Sequence, residues 1–511
     1  MTDTFDGRKL GEARGAGISR GQFLEIGAGG LTATLVAPTA AFAASSAQDD
    51  NSPNRLLLRD GVVLTLDDAL GDFAKADVLV ERGKIVAVEP NIHAGGQVVD
   101  CSGKILVPGF VDTHRHMWQG LLRSIGPDDL LLDYLQSILM GFALRLTPEE
   151  VYLGDLIAAL SAMNSGVTTV LDWSHINTTP AHTDAVIQAL KDSGIRAVYG
   201  YGPSFFHQDP ATNPYPNDIF RLRDQHFSSE DQLLTLALAP AGPQFAGVPF
   251  AVTEWNTARH PDVQARISVH VGVGADGPGW VKQLSDALAA GGHRGLGDDT
   301  TYIHSCTLTE QEFDLIEDSG GFFSVAAPIE MQMGHGMPPI QTALDRGIPL
   351  SLSVDVETNM PTDMFTQMRA AFALQRALKN EEHLFHFEIP DPGLEEHREQ
   401  LLTVRDVLKI ATIGGAQANG LGRKIGTLTP GKEADIVVLD ATQINVAPFN
   451  SATGAVVLAM DTSNVESVLI AGRFVKRKGR LVGANVDQLL RRAQGVHDEL
   501  MARSGRPPFV T

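Results

Sequence analysis

The stretch Pro108-Gly109-Phe110-Val111-Asp112-Thr113-His114-Arg115-His116 decides the fold. It runs apolar and then ends abruptly in polar, metal-binding residue types. In an extended strand alternate side chains share a face, so His114 and His116 project to one side. The strand expected here is Leu106 to Asp112. Seven more short apolar runs follow it: Val167 to Asp172, Arg196 to Tyr201, Leu234 to Ala239, Arg266 to Val271, Thr301 to Ser305, Phe322 to Ala327 and Pro349 to Asp355. Helical stretches separate them. Near-continuous apolar strands alternating with helices indicate a parallel sheet covered on both faces, an α/β architecture. Eight such strands fit a closed (β/α)8 TIM barrel better than an open, doubly wound sheet.

In such a barrel, residues at the C-terminal strand ends converge on one face. His270 lies on the fifth strand, His304 on the sixth and Asp355 on the eighth. A lone His-x-His pair is weak evidence, and His270 alone reads as a core histidine. Together His114, His116, His270 and Asp355 form a credible site for one divalent ion. Catalytic zinc commonly takes three protein ligands and leaves a position for water, and iron or cobalt suits the same donors. Cys101 and Cys306 are the two cysteines, too few for a disulfide framework or a cysteine-rich zinc site.

The opening stretch resembles the first signature of the amidohydrolase superfamily. Gly426-Thr427-Leu428-Thr429-Pro430-Gly431-Lys432-Glu433-Ala434-Asp435-Ile436 resembles the superfamily's C-terminal β-domain motif. The branch that matches is the triazine-chlorohydrolase and aromatic-deaminase group, over about residues 55 to 483. The resemblance implies a metal on His114, His116, His270 and Asp355, with His304 beside the metal-bound water or the substrate. It also implies a homo-oligomeric habit; Asp355, both ligand and neighbour of the bound water, is the expected proton acceptor. Binuclear members carry a carboxylated lysine on strand four; this chain has no lysine between Lys191 and Lys282, which favours a single metal.

One departure stands out. Deaminases and chlorohydrolases of this branch carry a glutamate three residues after the strand-five histidine, where this chain has Val273. The loop after strand seven, Glu330-Met331-Gln332-Met333-Gly334-His335, offers a substitute, so Glu330 and His335 are candidates for proton transfer or substrate binding. Trp118, His175, Tyr201, Phe205 and Phe206 follow strands one to three and are candidates for a pocket wall, with ordinary packing as the alternative. The reaction expected is hydrolysis of a C–N bond in an amide, urea, carbamate or cyclic amidine of a small, partly apolar molecule. A metal-dependent lyase or decarboxylase on the same scaffold, and a non-catalytic binding protein, stay open as alternatives.

Composition frames these readings. The chain has 511 residues, 43% of them hydrophobic, and a formal charge of −21, which disfavours nucleic acid. Strand-like segments flank the barrel at Leu56 to Leu66, Ala76 to Glu81, Lys84 to Glu89, Ile436 to Leu439 and Ser467 to Val475. They suggest one small β-sandwich domain, residues 54–106 with 424–483, around a barrel of 107–423, followed by a C-terminal helix from Val486 to Arg503. Residues 1–53 read as a leader. Arg8, Arg14 and Arg20 precede a mildly apolar Gly/Ala-rich stretch, and Ala41-Phe42-Ala43 fits a cleavage site. Ser19-Arg20-Gly21-Gln22-Phe23-Leu24 resembles a twin-arginine motif with Gly21 in place of the second arginine. Export is therefore expected, with a cytosolic extension as the alternative. No other stretch reaches the ~20 apolar residues that span a bilayer, so no membrane partner is expected.

Overall fold

At Gly109 the chain leaves one sheet and enters another, and the two sheets account for the architecture. The computed structural model describes residues 55–206, 209, 212–384 and 393–505; the leader expected over 1–53 lies outside them. The first sheet is mixed and nine-stranded. Its N-terminal strands are β1 (Arg55–Val63), β2 (Phe73–Glu81), β3 (Lys84–Glu89), β4 (Gln97–Asp100) and β5 (Lys104–Pro108). The second is an eight-stranded parallel sheet: β6 (Phe110–Arg115), β7 (Val167–Ser174), β8 (Arg196–Tyr201), β9 (Leu234–Leu238), β10 (Arg266–Val271), β11 (Thr300–His304), β12 (Phe322–Val325) and β13 (Leu350–Leu352), paired in sequence order. The chain then returns to the first sheet through β14 (Ile436–Asp440), β15 (Val465–Ile470), β16 (Arg473–Arg477) and β17 (Arg480–Leu481). The two flanks meet where β14 runs antiparallel to β5, Val437 opposite Val107.

Two strand expectations are corrected. The single strand expected from Leu106 to Asp112 is two strands, divided at Gly109. A Cβ there would lie 1.9 Å from Thr168 Oγ1, so only glycine lets the chain pass this close to β7. The single strand expected from Ser467 to Val475 is a hairpin, turning at Ala471 (φ 46°) and Gly472 (φ 74°). Apolar pattern alone does not reveal a strand that changes partners without changing composition.

The barrel closes at its seam through one bridge rather than a full ladder. β13 stops at Leu352, and the link back to β6 is the parallel pair Arg115 and Asp355. Asp355 N donates to His114 O at 2.9 Å, and His116 N donates to Asp355 O at 2.8 Å. The closing bonds therefore fall on the candidate ligands themselves. Capping helps to place the surrounding helices: Thr147 and Glu150 form a capping box on Pro148–Asn164. The C-terminal helix Val486–Ser504 packs there too, Ala493 against Leu153 and Ile157, with Arg503 paired to Glu150 at 2.7 Å. No helix of the described residues is long and apolar enough to cross a membrane.

Candidate metal centre

Four imidazoles and one carboxylate meet at the C-terminal ends of the barrel strands. His114 is on β6 and His116 just past its end; His270 is on β10 and His304 ends β11. His114 Nε2 lies 3.1 Å from Asp355 Oδ1 and 3.2 Å from His270 Nε2. His116 Nε2 is 3.4 Å from the same Asp355 oxygen, and His304 Nε2 is 3.8 Å from Asp355 Oδ2. The ligand atoms of His114, His116 and His270 lie within 4.8 Å of one another, and so do those of His114, His304 and Asp355. Backbone strain aims two of these groups: His304 and Asp355 hold φ of 68° and 72°, a region non-glycine residues avoid.

Donor chemistry fits a cation. Burial drives the His114 and His304 imidazoles down to about 4, and pushes His116 and His270 below the ordinary histidine value. Burial pushes the Asp355 carboxyl up, but the hydrogen bond to His114 and the neighbouring imidazoles hold it below the usual carboxylate range. Neutral imidazole nitrogens facing each other and a carboxylate at 3.1–3.4 Å need either protons or a cation between them. Atoms sharing a tetrahedral zinc at about 2.0–2.1 Å stand roughly 3.3 Å apart, which matches that spacing. His116 Nδ1 donates to Trp173 O at 2.8 Å, leaving the Nε2 lone pair free for an ion. His114 Nδ1 has no partner among the described residues.

The remaining sequence candidates surround this cluster. Glu330, fully buried, carries one oxygen that sits 3.1 Å from His304 Nδ1 and accepts from Ala326 N at 2.9 Å. Its other oxygen is unpartnered among the described residues, and burial raises its pKa well above the ordinary value. His335, 3% exposed, sets its ring edge-on to His304 at 4.5 Å, with both nitrogens likewise unpartnered. Trp118 and His175 stand behind His116. The Trp118 indole donates to His175 Nδ1 at 2.9 Å, and the His175 ring stacks on His116 at 3.9 Å. Phe205 lies parallel to Trp173 at 6.2 Å, and Tyr201 and Phe206 pack with the main core. Burial pushes the Cys306 thiol up, and its Sγ lies 3.6 Å from His304 O.

Several residues escaped the sequence reading. Trp173 contributes through its carbonyl, which no side-chain pattern reveals. Arg115, Gln119, Tyr134 and Glu357 form a buried polar layer beside the ligands. A usable signal existed in Arg115, a full charge at the end of an otherwise apolar strand, which demands a buried partner.

Similarity to known proteins agrees with this geometry. The amidohydrolase family model matches residues 105–475. A 5'-deoxyadenosine deaminase of Methanobrevibacter smithii is 26% identical over 471 residues, covering 88% of this chain and 99% of that protein. A 5-methylthioadenosine/S-adenosylhomocysteine deaminase of Syntrophobacter fumaroxidans is 27% identical, covering 86% and 97%. Among solved structures, an adenosine deaminase of Xanthomonas campestris with bound zinc superposes with a TM-score of 0.74 at 24% identity, over 88% of this chain and 98% of that one. An atrazine chlorohydrolase of Arthrobacter aurescens complexed with zinc gives 0.73 at 21% identity, over 86% and 100%. With its family model spanning both the barrel and the returning strands of the mixed sheet, this chain belongs to the amidohydrolase family.

Proposed function

We propose that this protein is a mononuclear, zinc-dependent hydrolase that cleaves a C–N bond in a small, partly apolar molecule. The convergence of His114, His116 and His270 with Asp355 at 3.1–3.4 Å carries the reading. Held by these residues, a zinc ion would supply Lewis acidity and would lower the pKa of bound water from about 15.7 towards ~7. His116 is held in the ligating tautomer by Trp173 O, and His270 completes the imidazole set. Asp355 keeps one oxygen towards His114 and His116 and turns the other towards His304, so it can take a proton on the side where a substrate would react. His304 Nε2, 3.8 Å from Asp355 Oδ2, can receive the proton that Asp355 takes and pass it to a leaving group, with Glu330 fixing the ring through Nδ1. His335 offers a donor and an acceptor to the same space. The curated relatives are named as deaminases, which supports a C–N bond. Val273 brings no carboxylate to the β10 loop, so proton handling is assigned to His304, Glu330 and His335.

The test is metal quantification on the purified full-length chain, followed by a screen of ureas, carbamates, amides and amino-azaheterocycles in 18O water. About one zinc per chain, loss of turnover on chelation, recovery with zinc or cobalt, and solvent 18O in the product are expected. Turnover by metal-free protein, or product without solvent oxygen, would refute the reading; the latter would favour a lyase.

A further inference from the structure

Arg115 stands between two candidate ligands, yet its guanidinium is engaged elsewhere. Its Nε and Nη2 reach Glu357 Oε1 at 2.8 and 2.6 Å, both side chains wholly buried. The other Glu357 oxygen accepts from Arg123 Nε at 2.6 Å. Glu357 N donates to Gln119 Oε1 at 3.3 Å, Gln119 Nε2 donates to Tyr134 Oη at 2.6 Å, and Tyr134 Oη lies 3.4 Å from His175 Nε2. His175 stacks on His116. A chain of contacts thus leaves the centre at Arg115 and returns to it at His116.

Glu357 lies two residues after Asp355, whose left-handed backbone persists only if its surroundings over-determine it. At the barrel seam the Asp355 main chain is held by His114 O and His116 N, but Arg115 and Asp355 form the seam's single bridge, so the chain beyond Asp355 has no ladder to fix it. We propose that Glu357 is a positioning residue: held by Arg115 and Arg123, it ties the segment after β13 to the segment after β6 and so fixes Asp355 against His114 and His116. A carboxylate gripped by two guanidiniums sets direction as well as distance, which an apolar contact would not. This rests on the metal-centre reading above.

The experiment compares Glu357→Gln with the double variant Arg115→Met/Glu357→Leu, which removes the buried pair together and leaves Asp112, 3.6 Å from Arg115 Nη1, and part-exposed Arg123 as the groups that lose a partner. Three properties are read: zinc affinity by chelator competition, the visible absorption of the cobalt-loaded protein, and hydrogen exchange of residues 354–359 in metal-free protein. Both variants should bind zinc roughly 10- to 100-fold more weakly, shift the cobalt bands and exchange faster at 354–359. Arg123→Lys should retain more zinc affinity than Arg123→Met. A double variant with wild-type affinity, cobalt bands and exchange overturns the proposal, whatever its melting temperature; if Glu357→Gln does not fold, the double variant decides. If the wild-type chain binds no metal, the metal-centre reading falls, and exchange at 354–359 alone then judges the clamp: unchanged rates overturn it.

Discussion

Trp118→Phe separates two roles for one side chain. As a pocket wall, Trp118 would touch substrate, and its loss would raise KM. The structure instead places it 1% exposed, donating to His175 Nδ1 at 2.9 Å behind the stacked His116. Burial drives His175 well below the ordinary histidine value, so its ring is neutral and accepts at Nδ1. Phenylalanine keeps an aromatic body but cannot donate. The orphaned, buried Nδ1 then costs about 1–3 kcal/mol, equivalent to roughly 5- to 150-fold in an equilibrium constant. Part of that loss should appear as weaker zinc binding and lower kcat, because His175 supports the ring of a ligand. The double variant Trp118→Phe/His175→Phe removes donor and acceptor together while keeping a ring against His116. It should lose less than the two single variants added, by about 0.5–3 kcal/mol. Chelator competition, melting of the zinc-loaded protein and steady-state kinetics measure the terms. A Trp118→Phe enzyme with unchanged zinc affinity and melting but a raised KM would refute the buttress reading and restore the pocket wall.

Other expectations follow from single contacts. Glu330→Gln can keep one oxygen near both His304 Nδ1 and Ala326 N but cannot exchange a proton, so kcat should fall about 100-fold or more, and Glu330→Ala, which also strands both groups, should lose at least as much; wild-type turnover in Glu330→Gln and His335→Ala alike would end the proton-transfer assignment. Arg196→Met leaves the buried Asp435 carboxylate without the guanidinium held at 2.8 and 3.0 Å, and should cost about 3–5 kcal/mol in urea unfolding. Arg196→Met/Asp435→Asn should recover part of it, and strictly additive losses would contradict a direct coupling. Gly109→Ala drives a Cβ into Thr168 and should destabilise by at least about 1–3 kcal/mol, relieved by Thr168→Gly; an unperturbed urea midpoint would show that β6 can shift aside.

Barrel strands and ligand candidates were legible because each leaves a local mark. β8, β10 and the helix at Val486 lie within a residue of the ranges expected from apolar pattern, since buried parallel strands and capped amphipathic helices are specified by their own residues. His114, His116, His270 and Asp355 stood out as polar groups at the ends of apolar runs. Partner changes were illegible: nothing in Val107 and Phe110 says that they belong to different sheets. Trp118 and His175 were visible as residues, but not which way they faced, because that depends on an indole N–H finding an acceptor 57 positions away. Glu357 was silent for the same reason. A carboxylate two residues beyond a candidate ligand looks like loop polarity until Arg115 and Arg123 are seen to enclose it.

The departures at positions 273 and 330–335 are distant in sequence and adjacent in space. Val273 is pinned through its backbone: its N–H donates to Gln244 Oε1 at 3.2 Å, and its carbonyl accepts from Gln244 Nε2 at 2.7 Å. The next residue, Gly274, donates its N–H to His335 O at 2.7 Å, which binds the loop after β10 to the loop after β12. A site that had merely lost a proton carrier at Val273 would have no reason to hold a buried, unpartnered imidazole beside His304. Polar atoms that deep cost free energy unless they are paired, so each of these calls for a polar partner. His335 and Glu330 both touch His304, at 4.5 Å between rings and 3.1 Å at Nδ1, and we propose that substrate supplies the partner their unpaired atoms lack.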